Sequence, residues 1–112
     1  MATPAQQAQD ERVADVLMAM EGQPIDTIRC APIVVLSQDA PLPIVGLHAA
    51  GRHFTLSLEE ARCVAIAVRM EDASPDAQAL AASIGMAATM TELLWLRAHC
   101  QILRLRLEDA TR

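Results

Sequence analysis

"PIVGLHAAGRHFTLS", Pro43 to Ser57, decides the fold. Two apolar runs rich in β-branched residues flank Ala49-Ala50-Gly51-Arg52, and this reads as a β-hairpin. Its register follows from side-chain alternation. If His48 faces His53, then Leu47 pairs with Phe54, Val45 with Leu56, Gly46 with Thr55 and Ile44 with Ser57. The large apolar pairs then share one face and most polar residues the other. A slip of one residue mixes the faces, so this register is expected. It allows a loop of two or four residues. Ala50 is a poor occupant of a primed two-residue turn, so the four-residue loop is expected.

Upstream, "IVVLS" reads as a further strand over residues 33–37, entered through Pro32, and "QDAPLP" as a loop. The chain begins with Thr3-Pro4-Ala5-Gln6, which combines an N-cap, a proline at the first helical position and Gln at the third. Val13, Val16, Leu17 and Met20 follow at one-face spacing, predicting a helix over 4–21 that Gly22 and Pro24 end.

Downstream of the hairpin, Ser57 and Glu60 form a capping box that opens a helix over 58–71. Its uncharged centre predicts a largely buried element. Ser74 and Pro75 open a short helix that Gly85 is expected to end. Thr89 and Glu92 then read as a second capping box, opening a helix to about residue 109. In that last helix Leu93, Leu96, Cys100, Leu103 and Leu107 step by three and four, a coiled-coil seam. Trp95, Ala98, Ile102 and Leu105 make a second apolar stripe, and Arg97, Gln101, Arg104 and Glu108 a narrow polar face. Two stripes call for two partners, one of them the domain's own body. The expected fold is thus one α+β domain over 1–112, with an N-terminal helix (1–24), an antiparallel β-meander (25–57) and a helical part (58–112).

Composition narrows the chemistry. The 112 residues carry a net charge of −5, with 21 Ala, no Lys and no Asn, and all nine basic residues are Arg. Without lysine there is no Schiff base and no phosphate-loop lysine. The arginines are scattered among 14 carboxylates and aromatics are scarce, which argues against nucleic acid. The N-terminus lacks a basic, then apolar, signal pattern, and no unbroken apolar run of membrane-spanning length occurs. Cys30, Cys63 and Cys100 are far apart and form no CxxC pair. They are expected as small buried hydrophobes in a reducing cytoplasm.

Candidate sites are few. His48 and His53, opposed on the hairpin's polar face, could share a metal if Cys30 or Asp39 supplied a third ligand. The plainer reading is a pair of solvated side chains. His99 is expected at the boundary of the polar face. Cys63 and Cys100 sit at apolar helix positions, where thiols are inert. Ser37, Ser57, Ser74 and Ser83 are read as a strand end, two caps and a small helix residue. Glu59 and Glu60 serve a cap and the helix dipole, not acid–base chemistry. Residues 76–96, with Ala81, Ile84, Gly85, Met86 and Leu94, resemble the general helix-turn-helix pattern of DNA-binding regulators. In that resemblance "ATMTELLWLR" would be the recognition helix, yet its first turns hold no base-reading Arg, Asn or Gln.

The sequence therefore predicts no catalytic residue and no cofactor. It predicts a non-enzymatic protein-binding or regulatory module, self-associating as a homodimer through the seam and engaging another protein. Size and composition suit an accessory or inhibitor protein of a bacterium or its phage.

Overall fold

The computed structural model describes residues 3–36 and 41–111. The sequence readings of Ser37 and Asp39 lie outside the described residues. The described chain runs α1 (Pro4–Met20), a 3₁₀ turn (Ile25–Thr27), β1 (Arg29–Val35), β2 (Leu42–Ala49), β3 (Arg52–Leu56), α2 (Leu58–Glu71) and α3 (Pro75–Ala110). The expected α+β architecture is present: a helix, a three-stranded antiparallel sheet in the order β1-β2-β3, then two helices.

The hairpin holds the expected register, with Val45 opposite Leu56, Leu47 opposite Phe54 and His48 opposite His53. Pairing stops there because Ser57 leaves the sheet to cap α2, its hydroxyl accepting from Glu60 N at 3.1 Å while Glu60 Oε1 accepts from Ser57 N at 2.8 Å. The loop has two residues, not four. Ala49 pairs with Arg52, and both Ala50 (φ 53°) and Gly51 (φ 71°) are left-handed, the signature of a primed turn. The strand twist favours this turn enough to hold an alanine in a backbone region it resists.

β1 starts four residues earlier than its sequence suggests. Pro32 sits mid-strand opposite Val45, not at the entrance. β1 is an edge strand, and an edge tolerates a missing N–H that would otherwise face solvent. Val45, Leu47, Ala49, Phe54 and Leu56 form the inner sheet face and are buried. Val16 and Met20 of α1 close the core from one side, as their spacing foretold.

α2 buries one face, not its whole circumference. Ala61, Val64, Ala65 and Val68 are buried at helical spacing, while Ile66 and Met70 face solvent. Its Glu60 carboxylate has a second task, a 2.8 Å ion pair with Arg12 that ties α2 to α1.

α3 is one continuous helix of 36 residues, where the sequence suggested two. Gly85 does not break it, because a helical glycine costs only about 1 kcal/mol against alanine and neighbouring packing offsets that. The expected second capping box is absent. Thr89 and Thr91 direct their hydroxyls back to the carbonyls of Gly85 (3.1 Å) and Ala87 (2.7 Å) instead of forward to an N-terminus. The helix-turn-helix reading of 76–96 fails with them, since no turn interrupts the helix. By length and composition α3 is apolar enough to cross a membrane, although the sequence shows no unbroken apolar run. Mean hydropathy tolerates the single Glu92 that a search for runs does not.

Candidate interaction surface

The two halves of α3 have different surroundings. Ala77, Leu80, Ala81, Ile84, Ala87, Ala88 and Thr91 are buried against α2 and the sheet, and no later residue of the helix is buried. At 1.5 Å per residue the helix is about 54 Å long, so its last five turns form an arm. Overall the molecule measures 58 × 35 × 24 Å.

The seam runs along this arm. Leu93, Leu96, Leu103 and Leu107 are 61%, 44%, 48% and 67% exposed, and Cys100 is exposed between them. The second stripe is better covered: Trp95, Ala98 and Ile102 are half-buried, though Leu105 is exposed. Trp95 is anchored, its Nε1 donating to the carbonyl of Pro41 at 2.6 Å while its ring stacks on His99 at 5.4 Å. His99 is half-buried, matching the boundary place expected for it, and among the described residues its Nδ1 has no hydrogen-bond partner. Sequence spacing found both stripes but could not say which was covered.

The hairpin site forms only in part. The His48 and His53 rings lie 6.4 Å apart, tilted by 42°, on the outer sheet face. Among the described residues no third His, Cys, Asp or Glu joins them to make a metal-binding group. Cys30 lies opposite Leu47, on the inner side, with its Sγ 3.9 Å from Ser83 Oγ. Burial pushes its thiol up and the Ser83 contact only partly offsets this, so it is a weak nucleophile. The thiols are less buried than expected: Cys30 and Cys63 are half-buried and Cys100 is exposed.

The arginines are mostly committed to structure. Arg52 holds Asp15 at 3.0 Å and lies 4.7 Å above the Phe54 ring, and Arg62 holds Glu92 at 2.6 Å. No family model, curated protein or solved structure matches the chain significantly.

Proposed function

We propose that the protein is a non-enzymatic binding module that self-associates as a homodimer through the α3 seam, as an accessory or inhibitor protein of a bacterium or its phage would. One observation carries this reading: a run of regularly spaced, exposed leucines on a helical arm. Monomers rarely leave a contiguous apolar patch of this kind in water. The three–four spacing is the one that lets two helices interlock side chains.

Light scattering behind size exclusion, over a tenfold concentration range, tests the proposal. The expected mass is about twice 12.1 kDa. Leu96→Asp with Leu103→Asp should return the protein to monomer mass with its circular dichroism unchanged. A folded double variant that keeps the dimer mass sinks the seam as the interface. A wild-type monomer at all concentrations sinks self-association and leaves the seam to a different protein.

A further inference from the structure

We propose that Arg29, His48 and His53 form an anion-binding row on the outer face of the sheet, taking a divalent tetrahedral oxyanion. The row is a product of strand register. Arg29 of β1 lies directly opposite His48 of β2, which lies directly opposite His53 of β3. Directly opposed residues share a face, with Cβ atoms about 5 Å apart. Three strands thus each deliver one cation-capable side chain to a single transverse line.

Beside this line β2 carries a glycine, and neighbouring side chains close over it. Gly46 is the next outward position of β2, and an added Cβ there would meet Ile33 Cδ1 at 2.9 Å and His53 Cε1 at 3.5 Å. The missing side chain lets the His53 ring lean over the backbone. An open hollow of about 490 Å³ lies here, lined by Arg29, Cys30, Gly46, His48 and His53, with Ser83 of α3 at its edge.

Charge chooses the ligand class. No carboxylate lines this cavity, in a chain whose net charge is −5. The titratable groups that do line it are Arg29, His48, His53 and Cys30. The helices pack on the other face of the sheet, and Ser83, the one described helix residue at the cavity, is uncharged. At the β3 edge His53 also borders a second hollow with Asp15, Arg12 and Arg52, where Arg52 holds the Asp15 carboxylate at 3.0 Å. Arg29 enters no ion pair among the described residues. A fixed guanidinium beside two imidazoles repels a divalent metal ion and attracts an anion. The same pair of histidines that resembles a metal half-site is converted by Arg29 into its electrostatic opposite.

Sulfate is the probe, a divalent tetrahedral oxyanion. Titrations followed by the histidine ring and Gly46 amide resonances should saturate. Arg29→Ala should abolish saturable binding and Arg29→Lys should restore part of it. His48→Gln with His53→Gln should weaken binding without abolishing it. Phenyl phosphate binding tighter than sulfate would assign the cavity to an esterified phosphate, and equal binding to the free oxyanion. The proposal is overturned if sulfate does not saturate, or if either Arg29→Ala or the histidine variant binds as well as wild type. Stoichiometric Zn²⁺ binding that is indifferent to Arg29→Ala would also overturn it, returning the pair to metal.

Discussion

Ala50 shows how far a single residue can be held against its preference. It adopts φ 53° in a two-residue turn whose second residue, Gly51, is better suited to that region. Asparagine is the residue that a primed turn wants at this first position. Ala50→Asn should therefore stabilise the fold by about 0.5–1 kcal/mol, read as a higher urea midpoint at unchanged slope. A lower midpoint would mean that the alanine methyl makes packing contacts that outweigh the backbone term. Glu60 teaches a related lesson. Its capping role was legible in the sequence because Ser57 stands three residues before it. Its ion pair with Arg12 was not, because that contact spans 48 positions and exists only once α1 packs beside α2.

Among the elements, α3 departs most from its sequence signals. A glycine and a false capping box both suggest a boundary near residues 85–89, yet the helix runs through. Local signals of this kind are worth about 1 kcal/mol each. They lose to Ile84, Ala87, Ala88 and Thr91, all buried on one stripe against the domain. A Cβ added at Gly85 meets nothing within 4 Å. Gly85→Ala should then raise stability by up to about 1 kcal/mol, since it only removes backbone freedom from the unfolded chain. Thermal unfolding checks this. A helical corner at residue 85 would give the opposite sign, because a glycine that ends a helix takes a left-handed backbone that alanine resists.

At the scale of the molecule, the core and the proposed interface occupy different lengths of α3. The radius of gyration is 16.5 Å, against about 13 Å for a compact chain of this size. Full burial ends at Thr91 and residues 103–111 are all exposed, so the last two turns of the arm add little to the stability of the domain. A chain ending at residue 101 keeps Trp95 and its bond to Pro41 while losing Leu103, Leu105 and Leu107. It should unfold cooperatively with a loss of less than about 1 kcal/mol per mole of monomer, yet elute as a monomer. Collapse of the whole domain on this truncation would show that the arm packs on the body in solution.

What the sequence by itself determined was whatever rests on local periodicity: the α+β class, the hairpin register, the α2 cap and its bounds, and the seam spacing. Side-chain alternation and capping chemistry act over a few residues and can be read directly. Tertiary structure decided the rest. It placed Pro32 inside an edge strand, fused two expected helices into one and brought Arg29 into line with His48 and His53. It also chose which stripe of α3 stays in water. These outcomes depend on contacts between residues far apart in the chain, whose packing energy exceeds the small local preferences that sequence reading weighs.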